Sequence, residues 1–193
     1  RGLGDVYKRQ YLFRYKGKNA GILRIFGGQV IAQAYIAANE TVSDDMQIHS
    51  LHAYFLRPGV IKQPVLFSVD PVRDGKSFFT RTVKAIQNNE IIFTMTVSFQ
   101  KEEGGITHSI EMPKVPDPDE LKDEIQMREE NIELIPKELR KFFMKKREYT
   151  IKVVEWNDVF DPKPMAPIRN VWLKPNGKIP NKRYVHHAFL AYI

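Results

Sequence analysis

Two histidines, His49 and His52, are the first side chains in the sequence whose types and spacing could do chemistry together. Imidazoles act as general bases and as metal ligands. The surrounding residues predict a β-strand, on which side chains three residues apart point to opposite faces, so one ion is not expected to bind both. Because a metal site needs several converging ligands, no metal site is predicted here. A histidine that stands alone is more often a hydrogen-bonded structural residue than a catalytic one.

A glycine pair followed by a glutamine, Gly27, Gly28 and Gln29, precedes a stretch in which eight of nine residues are apolar, residues 30–38. A helix that is apolar on every side is a buried helix. Glycines at its start bare the first N–H groups, which together with the helix dipole favour a carbonyl or a developing oxyanion. We therefore take these three residues as candidate substrate-binding residues. Close packing of the helix against a sheet is the alternative interpretation.

Other catalytic patterns are excluded by spacing or by composition. Gly75-Lys76-Ser77 matches the tail of a phosphate-binding P-loop, but the required upstream glycine position holds Asp70, so a hairpin turn is predicted instead. The nucleophile-elbow pattern Gly-x-Ser-x-Gly does not occur. The chain has no cysteine, which excludes thiol nucleophiles, disulfides and cysteine-bound zinc, and which suits a reducing compartment.

The composition is that of an ordinary folded domain with an excess of positive charge. Of 193 residues, 42% are hydrophobic, and the formal net charge is +7. Such an excess favours anionic partners, but the basic residues are dispersed, as on a solvated surface. Nucleic-acid binding is not expected, because no aromatic strand motif of the recognition type appears. No apolar run is long enough to span a membrane.

The order of elements indicates an α+β fold. After the buried helix, at about 27–40, strands are predicted near 47–57, 64–73, 77–87 and 90–101, and a short strand near 11–14 precedes it. The last strand alternates Ile91, Phe93, Met95, Val97 and Phe99 with mostly polar residues, a period of two. An antiparallel sheet must wrap this helix, since no other predicted element could cover it. That arrangement is a hot-dog fold, with residues 11–101 as its first unit.

The remaining segments differ from this unit in character. Residues 1–10 have no hydrophobic period and are left out of the fold. Residues 102–148 are charged and rich in proline, and they predict a linker with surface helices near 118–129 and 136–146. A second unit, residues 149–193, is predicted to begin with strands near 149–156 and 169–174 and a helix from Arg183. It ends on an apolar run, so we expect this unit to be partial and the chain to be truncated.

Short motifs in a fixed order run from about Tyr11 to Ile193. In the first half they are Leu12-Phe13-Arg14, Arg24 to Val30, Ala32-Gln33-Ala34, His49 to Gly59, Arg73 to Phe78, Ala85-Ile86-Gln87 and Ser98-Phe99-Gln100. In the second half they are Met112-Pro113, Val171-Trp172, Val185-His186 and Ala191-Tyr192-Ile193. Together these motifs resemble the acyl-CoA thioesterase II family, which includes bacterial thioesterase II and the peroxisomal acyl-CoA thioesterases.

The resemblance implies two hot-dog units that hydrolyse acyl-CoA to a free fatty acid and CoA without a cofactor. An aspartate, a serine or threonine, and a glutamine of the second unit would orient the attacking water. The resemblance places that aspartate about two residues past Ile193, so residues 1–193 alone are expected to be inactive. If the units are related by duplication, Gln29 is the expected counterpart of the aspartate. We assign His49 a supporting catalytic role.

Two other functions stay open at this point. The chain could be a non-catalytic acyl-CoA-binding module, or a hot-dog enoyl-CoA hydratase. Gln29 argues against the hydratase, which uses an Asp/His pair on the helix and loop of one unit. Sheets of this kind pair edge to edge, so a homo-oligomer is expected. The expected location is cytoplasmic or peroxisomal.

Overall fold

The computed structural model describes residues 11–15, 24–61 and 63–193. Residues 1–10, which the sequence analysis left out of the fold, lie outside this range. The described residues divide into two compact units. One consists of the chain up to residue 106 together with residues 180–193, and the other of residues 107–179.

The first unit is built on a five-stranded antiparallel sheet. Its strands are β1 (Tyr11–Tyr15), β2 (Met46–Phe55), β3 (Val65–Asp74), β4 (Phe78–Gln87) and β5 (Glu90–Lys101). Their order across the sheet is β1-β3-β4-β5-β2, so β1 and β2 are the edges. Asn88 and Asn89 connect β4 to β5 with φ angles of 52° and 62°, as a tight hairpin turn requires.

Helix α1 (Gly27–Asn39) lies across the inner face of this sheet, against β3, β4 and β5. Seven of its residues are buried, and four of these are alanines, which allow close approach. Alternate residues of the strands complete the core: Val65, Phe67, Val69, Val83, Ala85, Phe93, Met95, Val97 and Phe99. The predicted hot-dog architecture is confirmed, and each predicted boundary in this unit lies within two residues of the observed one.

A second helix, α4 (Arg183–Tyr192), also packs on α1. Ala188 is buried in the same core, and Tyr184 and Tyr192 lie against it. The expectation that only the sheet covers α1 is therefore wrong, because α4 covers part of it. Since residues 180–193 belong to the first compact unit, the assignment of 149–193 to a second hot-dog stays a prediction.

Irregular pairing changes which residues face inward on two strands. The pairing of β2 with β5 shifts between Ile48 and Ser50, which leaves His49 as the extra residue of a β-bulge. A similar shift between β4 and β5 buries Ile92, although simple alternation had placed Ile91 inward. A bulge inserts one residue and so reverses the inside-outside pattern beyond it.

The second compact unit contains the charged segment. It holds α2 (Glu124–Glu130), α3 (Lys137–Phe143), and a hairpin of β6 (Tyr149–Val153) with β7 (Val171–Pro175). Asp123 caps α2 through a reciprocal hydrogen bond with Gln126. The largely buried pair of Glu124 and Arg128 lies beside Phe143. No helix among the described residues is long and apolar enough to cross a membrane.

Candidate active-site region

The first turn of α1 has no conventional cap. Its N-cap residue, Phe26, is extended, and no side chain caps the helix. The N–H groups of Gln29 and Val30 both donate to the Phe26 carbonyl oxygen, at 3.1 and 3.3 Å. Because Gly27 and Gly28 come first, their N–H groups have no acceptor four residues earlier within the helix. The first turn also has no acidic residue, so the positive end of the helix dipole is not offset there.

Gly27 lies under an aromatic ring. A Cβ placed on Gly27 would be 3.0 Å from the Cζ atom of Phe55, the last residue of β2. The Phe55 ring rests against Phe93, with ring centroids 5.1 Å apart, and its outer face is exposed. Glycine therefore allows the ring to lie directly against the helix.

Gly28 lies against α4. A Cβ placed there would be 1.8 Å from the Tyr192 carbonyl oxygen, so no larger residue fits without moving α4. The Tyr192 ring meets the Phe26 ring edge-on at 5.2 Å. The packing interpretation thus accounts for Gly28, whereas a substrate-binding role for Gly27, Gly28 and Gln29 stays a prediction.

The two helices run antiparallel. Arg183, at the start of α4, donates to the Glu102 carboxylate at 2.9 Å, and Gln47 of β2 donates to the same oxygen. These contacts lie at the end of the sheet where β2 begins, while Tyr192 lies at the α1 start. The negative end of the α4 dipole therefore meets the positive end of the α1 dipole, a favourable arrangement.

The expected equivalence of Gln29 with the catalytic aspartate stays a prediction, because that aspartate is expected past Ile193. What the structure does provide is proximity, because the last turn of α4 contacts Gly28.

His49 lies away from the glycines. Phe55 lies six positions further along β2, about 20 Å away along the strand. Its Nδ1 is 3.3 Å from the Ser50 hydroxyl, and its ring meets Phe78 edge-on at 5.6 Å. It is exposed in the β2 bulge, so the first unit does not bring His49 together with Gly27, Gly28 and Gln29.

His52 is exposed as well, and the bulge explains why. The argument that residues three apart must lie on opposite faces holds only for a regular strand, so it was wrong at this position. Two histidines still make no metal site. Across the described part of the chain, no group of three or more histidine, aspartate or glutamate side chains could hold an ion.

Two buried polar residues, Arg81 and Gln87, had no role predicted from the sequence. Arg81 is 2% exposed, pairs with Asp74 at 2.6 Å and donates to the Thr41 hydroxyl at 2.8 Å. Gln87 holds the 60–63 loop through the backbone of Val60 and Gln63. Arg81 and Gln87 occupy the same alternate positions of β4 as the buried Val83 and Ala85, so the alternation could have predicted that both are buried. Both are structural.

The predicted turn before β4 is also observed. The N–H of Gly75 donates to the Phe78 carbonyl at 3.0 Å, which closes the β3–β4 hairpin. Gly75-Lys76-Ser77 is therefore a turn and not part of a P-loop.

A separate cavity of about 290 Å³ lies in the second unit, lined by residues 165–169 with Glu155 and Asn157. Both Glu155 carboxylate oxygens accept hydrogen bonds from Asn170, and these bonds hold the Glu155 pKa below its usual range. That carboxylate is thus committed to holding its own loop.

Known proteins are similar to this chain in sequence and in fold. Residues 17–100 match the family model described as acyl-CoA thioesterase N-terminal domain. Acyl-CoA thioesterase 2 of Haemophilus influenzae is 34% identical over 94% of this chain and 63% of its own length. The chain therefore spans less than two thirds of that relative.

Solved structures agree with the sequence comparison. An acyl-CoA thioesterase II from Mycobacterium marinum superposes with a TM-score of 0.69 at 33% identity, covering 94% of this chain and 61% of that one. A hot-dog protein of unknown function from Alicyclobacillus acidocaldarius reaches the same TM-score at 19% identity, covering 96% and 64%. That likeness shows the fold alone. Together with the five-stranded sheet around α1, these matches show that the chain is similar in sequence and fold to known acyl-CoA thioesterases.

Proposed function

We propose that this chain is the N-terminal part of an enzyme that hydrolyses acyl-CoA thioesters to a fatty acid and CoA. The similarity to acyl-CoA thioesterases supports the reaction, and the contact between α4 and Gly28 supports the position of the site. Two residues span at most about 7 Å. The aspartate expected two residues past Ile193 would therefore lie at the α1 start, beside Gly27, Gly28 and Gln29.

The reaction requires little of the protein, because a thioester is already activated. The carboxylate takes a proton from water, and the water oxygen attacks the carbonyl carbon. The C–S bond then breaks, and the carboxyl group returns the proton to the leaving sulfur, so that CoA departs as a thiol. Backbone N–H groups at the α1 start would stabilise the developing oxyanion. Gln29 cannot be the base, because an amide does not accept a proton from water at neutral pH.

Release of thiol from long-chain acyl-CoA tests this proposal. We expect turnover from a protein extended to the length of its relatives, and none from residues 1–193. A long protein that binds acyl-CoA without releasing thiol would instead be a binding module. If residues 1–193 alone matched the extended protein, the base would have to lie among the residues described above as structural.

The proposed enzyme is a homo-oligomer in the cytoplasm or the peroxisome. The observation that supports association is the position of β2 at the edge of the sheet, where one side of the strand has no neighbour in the described sheet. Edge strands readily pair with a second copy. Light scattering tests this, and a monodisperse monomer would contradict it.

A further inference from the structure

Two apolar side chains are exposed on the short helix α3 of the second unit. Phe142 is 60% exposed, and Leu139, three residues earlier, is 42% exposed. Side chains three residues apart on a helix lie on the same face. We call these two residues the α3 patch. Exposed apolar residues that occur together mark contact sites, whereas single exposed residues are ordinary surface.

An aromatic cluster holds the α3 patch in place. The Phe142 ring meets the Phe143 ring edge-on at 5.4 Å, and the Phe143 ring meets the Phe160 ring edge-on at 5.1 Å. The guanidinium of Arg128, on α2, lies over the Phe143 ring and donates to the Phe143 carbonyl at 2.7 Å. Phe142 is therefore an exposed ring on a fixed base.

The same segment carries a cluster of positive charge. Residues 137–148 contain six basic and two acidic residues. Two of the six, both arginines, pair with glutamates of the same unit. Lys141 and Lys146 are exposed, and in the described part of the chain neither forms an ion pair. Basic residues near the end of a helix also stabilise its dipole, but that interpretation does not account for the exposed Phe142 ring.

An exposed ring beside unpaired lysines fits the surface of an anionic membrane. Clusters of about four to eight basic residues on or beside an amphipathic helix are typical of proteins that bind anionic lipid. Lipid headgroups attract the lysines, while the ring enters the boundary between headgroups and acyl chains. A stable protein partner needs about 800 Å² of surface on each side, far more than two side chains supply. A membrane therefore fits the α3 patch better than a protein does.

We propose that α3 and the basic residues that follow it form a peripheral membrane-binding surface, selective for anionic lipid, with Phe142 inserted among the headgroups. The inference goes beyond the proposed function and does not depend on it. Its consequence for the proposed function is local concentration, because long-chain acyl groups partition into the same boundary.

Co-sedimentation with unilamellar vesicles tests this proposal. Vesicles of phosphatidylcholine alone are compared with vesicles of phosphatidylcholine and phosphatidylserine in equal parts. Both the 193-residue chain and the protein extended to the length of its relatives are measured. We expect binding to the mixed vesicles to be tighter by about tenfold or more. It should weaken in about 1 M salt, where charges are screened beyond about 3 Å.

Two variants separate the contribution of the ring from that of the charges. Phe142→Ala should weaken binding to the mixed vesicles by about tenfold, because it removes the inserted ring. The double variant Lys141→Gln, Lys146→Gln should weaken it by up to about thirtyfold, since each lysine near an anionic surface contributes about fivefold. All four residues' worth of backbone stays unchanged in both variants, and thermal unfolding verifies that each is folded.

Each variant has a matched control in the first unit. Tyr54→Ala removes another aromatic ring, which is 62% exposed. The double variant Lys76→Gln, Lys84→Gln removes two exposed lysines and so changes the net charge by the same amount. Each control should weaken vesicle binding clearly less than the variant that it matches.

Several outcomes would overturn the proposal. Equal binding to the two kinds of vesicle, or binding to neither, would exclude an anionic membrane and leave a protein as the partner of the α3 patch. Controls that weaken binding as much as the variants they match would show that the α3 patch is not the binding surface. Binding by the 193-residue chain but not by the extended protein would show that further residues cover the α3 patch. Thiol release is measured separately, so none of these outcomes decides the proposed function.

Discussion

The two ends of α1 differ in the kind of contact that holds them. At its C-terminal end, the Thr41 hydroxyl donates to the Ala38 carbonyl at 2.7 Å and accepts from Arg81 at 2.8 Å. At its N-terminal end, no side chain caps the helix, and the contacts are those of Phe26 and Phe55 rings with glycine backbone. One end is closed by hydrogen bonds, and the other is closed by apolar contact.

This difference separates the end of α1 that stabilises the fold from the end at which the active site is proposed. Arg81 also donates to the carbonyls of Thr41 and Arg73, so its guanidinium joins the helix end to the β3–β4 hairpin. Such a saturated network has no donor left for a ligand. The N-terminal end keeps exposed apolar surface and the first N–H groups of a helix, which are the features that a thioester could use.

Loss of the Arg81 side chain should produce the largest effect on the closed end. We expect Arg81→Ala to lower the free energy of unfolding by about 3 kcal/mol, because it leaves buried acceptors without a donor. Urea unfolding measures it.

Arg57→Ala is the matched control for that prediction. Arg57 also forms an ion pair, with Glu90 at 3.5 Å, but both side chains are about half exposed or more. Exposed pairs contribute up to about 1 kcal/mol. Equal losses in the two variants would show that burial does not make the Arg81 network stabilising.

Alkaline pH should weaken the same end of the helix through Tyr35. Burial raises the pKa of Tyr35 from 10.0 to about 12. The unfolded state therefore loses its phenolic proton at lower pH than the folded state. The stabilisation is complete below pH 10 and is lost as pH rises through about 12, a change of about 2–3 kcal/mol.

A comparison of wild type with Tyr35→Phe isolates this contribution. The variant should lack this part of the decline in unfolding free energy between pH 10 and 12. Parallel pH profiles for the two proteins would mean that the Tyr35 hydroxyl reaches solvent.

At the apolar end, Gly28→Ala should cost about 2 kcal/mol, because the added methyl overlaps the Tyr192 carbonyl and forces α4 away. Gly104→Ala is the control, since nothing lies within 4 Å of a Cβ at that position. Urea unfolding should separate the two clearly. Equal free energies of unfolding for Gly28→Ala and Gly104→Ala would show that α4 does not pack closely against α1 at Gly28.

Local patterns predicted the regular elements well. The alternation of Phe93, Met95, Val97 and Phe99 follows from the geometry of a single strand, so it could be read without knowing the neighbours. The same holds for the all-apolar helix. Burial of Arg81 could also have been inferred, because Arg81 lies on the same face of β4 as the inward-facing Val83 and Ala85.

Features that depend on contacts between distant elements could not be predicted from local patterns. The His49 bulge exists because the pairing of β2 with β5 shifts by one residue. Nothing in the β2 sequence alone predicts that shift. The packing of α4 on α1 joins residues more than 150 positions apart. Gly28 signalled a close approach, but only the fold shows that α4 makes it.

The smallest expected change in stability belongs to His49. Because its ring is exposed in the bulge, His49→Ala should change the free energy of unfolding by less than about 0.5 kcal/mol. Its effect on catalysis is the informative quantity, since His49 lies about 20 Å along β2 from the Phe55 ring. A supporting role therefore requires a part of the site that the first unit does not contain.

Rates of thiol release by the extended protein test whether His49 supports catalysis. If His49 supports catalysis, His49→Ala should lower the rate while unfolding is unchanged, and His52→Ala, the exposed histidine on the same strand, should not. If both variants keep the wild-type rate, His49 is not part of the site. The proposed site would then rest on the N-terminal end of α1 without a contribution from His49.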